Sequence, residues 1–100
     1  ELKAGVTTRL RLINIRSDLG MLVSLMDGDH PALWRVVAKD GFTRPVSQAQ
    51  PRPSIVAIGS GETYDVEVTP QSGSLALAYR LAAPVPPPLA QRMVVPVQVR

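Results

Sequence analysis

The side chains that could bind a metal or catalyse a reaction are few in this sequence and lie far apart. His30 is its single histidine, and a neutral imidazole could ligate copper or another transition metal. A stable metal site, however, needs three or four converging ligands. We therefore expect His30 to be a hydrogen-bonded residue that positions the turn beside Pro31. The sequence predicts neither a metal site nor a catalytic residue.

Asp27 and Asp29 flank Gly28, and two carboxylates at this spacing could bind calcium or magnesium or act as an acid–base pair. Calcium takes six or more oxygen ligands, and this short loop supplies few. We therefore expect both aspartates to be solvated residues of a turn. Asp-Gly is also a preferred pair in tight β-hairpins, which favours the same interpretation.

Met21, Met26 and Met93 carry thioethers that could bind copper(I). Methionines within strands more often fill irregular gaps in a hydrophobic core, and we expect that role here. Gly59 and Gly61 precede a predicted strand rather than a helix, so they do not form a phosphate-binding loop. The sequence thus contains no recognisable catalytic motif.

Composition indicates one folded domain that spans residues 1–100. Hydrophobic residues make up 45% of the chain, which is enough for a core, and only 4% are aromatic, so aliphatic side chains must fill it. The 10 prolines and 7 glycines favour many turns and few helices. Because the chain opens at Glu1 rather than at a methionine, we expect it to be a cut piece or a mature segment of a longer protein.

Charge and cysteine content exclude several classes of function. The net charge is +3, but the arginines are scattered singly, so we expect no binding to nucleic acid. The absence of cysteine excludes disulfides, thiolate catalysis and cysteine-ligated metals. The sequence has no run of about 18 apolar residues, and we expect no insertion into a membrane.

The clearest structural signal is the segment 58–68, Ile-Gly-Ser-Gly-Glu-Thr-Tyr-Asp-Val-Glu-Val. Tyr64, Val66 and Val68 alternate with polar residues, which predicts a half-buried strand. An apolar residue six positions before Tyr64 and a glycine three positions before it are typical of a tyrosine corner, in which the chain turns between two sheets. Gly61 would permit the sharp backbone, and the Tyr64 hydroxyl would bond to an upstream backbone group.

Alternation and turn signals predict about seven strands along the chain, at intervals typical of a β-sandwich. The predicted strands are Thr7–Ile15, Met21–Met26, Ala32–Ala38, Ser54–Ile58, Glu62–Thr69, Leu75–Leu81 and Met93–Val99. Turns or loops are predicted at Ser17–Gly20, Asp27-Gly28, Asp40-Gly41, residues 44–53, Pro70–Gly73 and the proline-rich connector Ala82–Pro88. The predicted fold class is an all-β Greek-key sandwich.

Single residues refine this prediction. Asn14 is expected to end the first strand, because its side chain competes for local backbone hydrogen bonds. Trp34 is expected in the core. Pro96 cannot donate to a β-ladder, so the last strand should lie at the edge of a sheet or pass a bulge. The small side chains of Ala76 and Ala78, on one face of their strand, indicate the close approach of another layer or domain.

Four motifs follow one another in an order that resembles the multicopper oxidases. They are Thr8–Asn14 (TRLRLIN), Asp29-His30-Pro31 (DHP), Val37–Gly41 (VAKDG) and Gly61–Val66 (GETYDV). More narrowly, the chain is similar to the middle of the three cupredoxin-like domains of laccases and their relatives, from about Gly5 to Val68. The resemblance implies a cupredoxin-like sandwich within a larger, copper-dependent oxidoreductase that is periplasmic or extracellular.

The resemblance also implies a domain without its own cofactor, because in three-domain members the coppers belong to the first and third domains. The residues agree, since a blue-copper site needs two histidines and a cysteine. The implied partners are the flanking cupredoxin domains of the parent chain. The implied function is to space and orient those copper-bearing domains, and to line a substrate pocket.

Two functions remain open. The alternative to a multicopper oxidase module is a free-standing immunoglobulin-like binding module, and flanking sequence rich in His-x-His or His-Cys-His would separate the two. A middle domain should also carry apolar residues on outward faces. We therefore expect Ile13, one face of Met21–Met26 and Val94 to be exposed, unless a local bulge turns Ile13 into the core.

Overall fold

Strands account for most of the chain. The computed structural model of the protein describes residues 1–16, 19–71, 73–82 and 92–100. The strands are β1 (Thr8–Ile13), β2 (Met21–Asp27), β3 (His30–Pro31), β4 (Leu33–Lys39), β5 (Phe42–Thr43), β6 (Arg52–Pro53), β7 (Ile55–Ile58), β8 (Thr63–Val68), β9 (Ser74–Leu81) and β10 (Met93–Gln98). Seven of these have four residues or more, in agreement with the predicted number. Within the described ranges, no helix is long and apolar enough to cross a membrane.

The strands form two antiparallel sheets that pack face to face. The first sheet has the order β1–β8–β4–β5, and β6 also pairs with β4. The second sheet has the order β10–β9–β2–β3, and β7 also pairs with β2. The prediction of an all-β sandwich is therefore confirmed, whereas its Greek-key and cupredoxin-like details stay predictions.

Alternation of side chains along the strands builds the core between the two sheets. In β4 and β8, the core-facing residues include Trp34, Val36, Tyr64 and Val66. Trp34 is 1% exposed, which confirms its predicted position. The second sheet contributes Val23, Leu25, Val56, Ile58 and Leu75. Each large apolar side chain buried in this way stabilises the fold by about 1.5 to 3 kcal/mol.

The chain crosses from the first sheet to the second at Ser54. β6 ends at Pro53 and pairs with β4 of the first sheet, whereas β7 begins at Ile55 and pairs with β2 of the second. Ser54 is fully buried between them, and its hydroxyl donates to the carbonyl of Leu25 at 2.6 Å. The crossing is thus fixed by one small polar side chain in the core.

The segment 44–53 differs from the uniform loop that its prolines predict. Val46–Gln48 forms a 3₁₀ turn, and Arg52–Pro53 pairs with β4. The short strand β6 forms because β4, which is distant in sequence, pairs with it. No local sequence pattern indicates this pairing. The segment leads to the crossing between the sheets at Ser54.

Both predicted Asp-Gly turns form tight hairpins. Asp27 pairs with His30 across the first, where Gly28 has a φ of 67°. In the second, Asp40 and Gly41 have φ values of 50° and 82°. Positive φ at both central residues is the type I′ geometry, whose twist matches that of the flanking strands. Asp40 adopts it because aspartate tolerates the left-handed region better than most residues.

A register shift between Val36 and Ala38 redirects the end of β4. Before the shift, Val36 pairs with Val66, and after it, Lys39 pairs with Tyr64. Regular alternation would point Lys39 to the face opposite Val36, but the bulge turns it towards the face of Tyr64. Lys39 Nζ consequently lies 5.5 Å from the centroid of the tyrosine ring.

Asn14 ends β1 and fastens the corner that follows β7. Its side-chain amide donates to the carbonyls of Leu19 and Ile58, each at 3.0 Å, and its Oδ1 accepts from the Arg16 amide at 3.0 Å. Gly61, with a φ of 76°, donates its N–H to the Asn14 carbonyl at 2.9 Å. The prediction that Asn14 ends the strand by bonding to local backbone is confirmed.

The tyrosine corner forms only in part. Tyr64 is 9% exposed and Gly61 has a positive φ, as predicted. The predicted bond from the Tyr64 hydroxyl to an upstream backbone group is wrong, because the described residues contain no such bond and the polar neighbour of the hydroxyl is Lys39. Asn14 makes the backbone contacts expected of the tyrosine.

β10 lies at an edge of the second sheet, as Pro96 predicts. It pairs with β9 without a register shift, and past its end Leu2 forms a parallel bridge with Val99. Parts of three predicted segments lie outside the described residues. These parts are Ser17-Asp18 and Ser72 of two turns, and residues 83–88 of the proline-rich connector.

Candidate functional site

The residues that the sequence singles out for metal chemistry lie in solvent at the tip of the β2–β3 hairpin. Asp27, Asp29 and His30 are all exposed, as expected of solvated turn residues. His30 Nδ1 contacts the carbonyl oxygen of Pro31 at 3.5 Å, the long limit of a hydrogen bond. Within the described residues, no group of three or more His, Cys, Asp or Glu side chains is placed to hold a metal ion.

The methionines divide between the core and the surface. Met21 is half-buried and packs against the core, as predicted. Met26 is half-buried on the outer face of the second sheet, and Met93 is 51% exposed on β10. The prediction that these two fill the core is wrong, because the face that each strand turns inwards depends on its pairing and on how far the other sheet covers it.

A charged cluster, consisting of Arg9, Arg11 and Asp65, lies on the outer face of the first sheet. Asp65 is only 4% exposed, although alternation along β8 points its side chain outwards. Arg9 Nη2 lies 2.8 Å from Asp65 Oδ2, and Arg11 Nε lies 2.9 Å from Oδ1. Arg9 Nε and Arg11 Nη2 also donate to Oδ2, at 3.0 and 3.1 Å. The two guanidinium groups thus cover the carboxylate and saturate it with charged donors.

These contacts stabilise the ionised form of Asp65. The hydrogen bond from Arg11 is the largest cause, burial opposes it and Arg9 adds to it, so that the pKa of Asp65 is lowered to about 2. The arginine side chains are 50% and 62% exposed, and water therefore screens their charges. The cluster therefore links β1 to β8. It is not a vacant anion site, because both guanidinium groups already bind the Asp65 carboxylate.

Sequence reasoning missed this cluster, although alternation places all three side chains on outward faces. Nothing in the local pattern says that β1 lies beside β8 in the register that sets Arg11 opposite Asp65. A signal was available, because opposite charges at outward positions of two well-defined strands are favourable cross-strand pairs.

A second ionic contact closes the corner at one end of the sandwich. Glu62 Oε1 accepts from the Gly59 amide at 2.6 Å, and Oε2 accepts from Lys39 Nζ at 2.9 Å. The hydrogen bond with Lys39 lowers the pKa of Glu62, and the same bond raises the pKa of Lys39. A Cβ added at Gly59 would lie 2.5 Å from this carboxylate, so a side chain there would displace the Glu62 carboxylate from its present position.

A shallow apolar trough crosses the outer face of the second sheet. Ile55, Ser24, Ala78 and Val94 lie side by side across β7, β2, β9 and β10. The two central residues are small, whereas Ile55 and Val94 at the sides are 55% and 54% exposed. The resulting cleft has a volume of about 270 Å³. Its lining includes Leu22, Ser24, Met26, Ile55, Ala78 and Arg80.

Two other clefts show no arrangement suited to catalysis. One, of about 300 Å³ on the first sheet, is lined by Thr7, Leu33, Trp34, Arg35, Pro51, Glu67 and Thr69. The other, of about 200 Å³ and mostly apolar, lies between the sheets beside Leu12, Ile13, Met21, Ile58 and Tyr79. Neither places a nucleophile next to a general base.

The predicted outward apolar residues are confirmed. Ile13 is 56% exposed, and β1 pairs with β8 without a register shift, so no bulge turns Ile13 into the core. Val94 is 54% exposed. On the outer face of β2, Leu22 and Met26 are half-buried rather than fully covered. Such surface is suited to contact with another polypeptide.

No known protein family, curated protein or solved structure matches this chain. The geometry of the described residues must therefore carry the functional argument. Ion pairs link neighbouring strands of the first sheet, and apolar surface is exposed on the second sheet.

Proposed function

We propose that this chain is a copper-free, structural module of a larger multicopper oxidase-like protein. In this role it spaces and orients copper-bearing cupredoxin-like domains, and it helps to line their substrate pocket. The order of its four motifs supports the family, and with it a periplasmic or extracellular location. The observation that carries the structural role is the trough, because a concave, mostly apolar face beside the exposed Ile55 is suited to cover by a second layer.

The two outer faces of the sandwich differ in a way that supports this role. The face of the first sheet carries Arg9, Arg11 and Asp65, whose charges favour contact with water. The face of the second sheet carries the trough, whose lining is mostly apolar, with Arg80 and Arg92 as its charged members, and where the side chain of Ala78 is small. A flanking domain would therefore dock on the second sheet.

The coding sequence on either side of this segment tests the family directly. We expect His-x-His motifs and a His-Cys-His motif in the flanking domains, because these supply the ligands of trinuclear and blue-copper centres. A reading frame without such motifs would contradict the proposal. It would favour instead a free-standing immunoglobulin-like module, which would use the same trough to bind a separate protein.

Substitutions in the longer protein test the docking role. Ile55→Glu places a charge in the trough, and we expect it to loosen the contact with the flanking domain, to speed limited proteolysis between domains and to lower oxidase activity. Copper content should stay that of the unsubstituted protein, because the trough holds no metal ligand in this proposal. Val46→Glu is the control, since Val46 is 86% exposed and lies outside the trough. Equal proteolysis of the two variants would argue against docking at this face.

A further inference from the structure

The outer edge of β10 is paired at one end only. At that end, Leu2 N–H donates to the Gln98 carbonyl at 2.8 Å, and Arg100 N–H donates to the Leu2 carbonyl at 2.8 Å. These bonds form the parallel bridge between Leu2 and Val99. They establish that the peptide groups of Gln98 and Arg100 point away from β9.

Further along β10, the same edge is open. Alternate residues of a strand direct their peptide groups to the same side, so Val94 and Pro96 share the direction of Gln98. Pro96 has no N–H, and its missing donor therefore faces the open edge rather than β9, which explains why the strand tolerates it. Among the described residues, no strand pairs with this edge over residues 93–97.

The side chains along the open edge are apolar on both faces. Met93, Val94 and Val95 are 51%, 54% and 46% exposed. Residues 93–98 carry no charge, although natural proteins commonly protect an edge strand with lysine or another charged residue. Pro96 is the single protective feature of this stretch, and it lies beyond the three exposed residues.

We propose that β10 pairs with the β10 of a second copy of this chain, antiparallel about a two-fold axis at Val94. In this register Val94 lies opposite Val94 of the second copy, and Met93 lies opposite Val95. The two Val94 residues exchange N–H···O bonds, and each Arg92 N–H donates to the carbonyl of Pro96 in the other copy. The three central cross-strand pairs are then apolar, and no two like charges face each other.

The neighbouring registers fit less well. An axis at Val95 would bring Arg92 opposite Gln98, whose carbonyl already accepts from Leu2. Within the described residues, an axis at Met93 would leave the contact between the two Met93 residues as the only apolar pair, because each Arg92 would then lie opposite Val94. One short strand pair is far smaller than a standard interface, so this dimer is a weak one that forms at high concentration.

Sedimentation velocity of the chain, from on the order of 10 µM to 1 mM, tests the pairing. The mass should rise from that of the 10.8 kDa monomer towards that of a dimer. Exchange of the Val94 amide hydrogen should slow as concentration rises, because the amide enters a ladder. Val94→Lys sets two lysines opposite each other on the axis, and we expect it to raise the dimer Kd about fivefold or more.

Val46→Lys is the matched control, because Val46 is 86% exposed and lies outside both β10 and the trough. It should dimerise with the Kd of the unsubstituted chain, and circular dichroism would verify that both variants keep their strand content. A chain that stays monomeric throughout would overturn the proposal, and so would an unchanged Kd in Val94→Lys. A third variant, Ile55→Lys, changes the trough, and loss of dimers in it alone would also overturn the proposal and assign self-association to the trough. These outcomes are independent of the proposed function, because none of them depends on which motifs the flanking coding sequence contains.

Discussion

Arg11 lies directly opposite Asp65 in the ladder between β1 and β8, and its Nε donates to Asp65 Oδ1 at 2.9 Å. Arg9, the next residue on the same face of β1, donates to the same carboxylate. A nearly buried aspartate thus holds two guanidinium groups across the strand pair, on a face that alternation alone would leave to solvent. This arrangement ties the stability of the first sheet to the ionisation of one side chain.

We expect the free energy of unfolding to fall as the pH decreases from about 4 to about 2, in part because of Asp65. Its pKa is lowered from 3.8 to about 2 in the folded protein, so the unfolded chain takes up a proton first. The contribution of Asp65 is therefore complete above about pH 4 and is lost as the pH falls through its folded pKa. Urea denaturation at several pH values measures this loss.

Asp65→Asn should reduce the fall in stability over this range and should lower stability at pH 7, because Arg9 and Arg11 lose their common partner. Asp29→Asn is the control, since it removes an exposed acid of the β2–β3 hairpin, which belongs to the other sheet. We expect it to keep the acid dependence of the unsubstituted chain. If the free energy of unfolding fell equally in Asp65→Asn and in the unsubstituted chain between pH 4 and 2, the ion pairs of Asp65 would not be the cause of that fall.

The long strands could be predicted from the sequence because their signal is local. Period-two alternation in β1 and β8 identifies both the strand and the face that enters the core, and Ile13 falls on the outward face as predicted. Asn14 and Pro96 also act locally, the first by bonding to nearby backbone and the second by lacking a donor. Each of these predictions needs only the chemistry of one residue and its neighbours.

Features that depend on strand pairing could not be predicted. The Asp65 cluster requires β1 beside β8 in one register, and the shift between Val36 and Ala38 decides where Lys39 points. β6 is a strand only because it pairs with β4. Pro96 predicts that β10 lies at an edge, but the pairing of one end of that edge with Leu2 could not be predicted, because it depends on where the N-terminal segment lies.

We expect no tight copper site in the isolated chain. His30 is exposed at a hairpin tip, and a lone imidazole binds copper(II) weakly because it lacks converging ligands. Isothermal titration with copper(II) at neutral pH measures the affinity, with His30→Ala as the matched control. A one-to-one site with a Kd below about 1 µM that disappears in His30→Ala would contradict this expectation.

Ser54→Ala should destabilise the domain only modestly, by about 1 kcal/mol. The substitution removes the hydroxyl that donates to Leu25, but the Leu25 carbonyl keeps the Ala32 amide at 2.8 Å as a donor. Ser54→Val should cost about 2 kcal/mol or more, because Ser54 is fully buried and its site has no room for a larger side chain. Urea denaturation gives both values, and the reverse order would mean that the crossing between the sheets is loosely packed.

The corner between β7 and β8 gives the sharpest comparison, because Asn14 makes the backbone bonds that were expected of Tyr64. Asn14→Ala removes the donors to the carbonyls of Leu19 and Ile58, and we expect a loss of about 2 kcal/mol in the free energy of unfolding. Tyr64→Phe keeps the buried ring and breaks no bond to the backbone, so its cost should stay below about 0.5 kcal/mol. Both values come from urea denaturation at neutral pH. If Tyr64→Phe lowered the free energy of unfolding as much as Asn14→Ala or more, the Tyr64 hydroxyl would be the group that stabilises the corner.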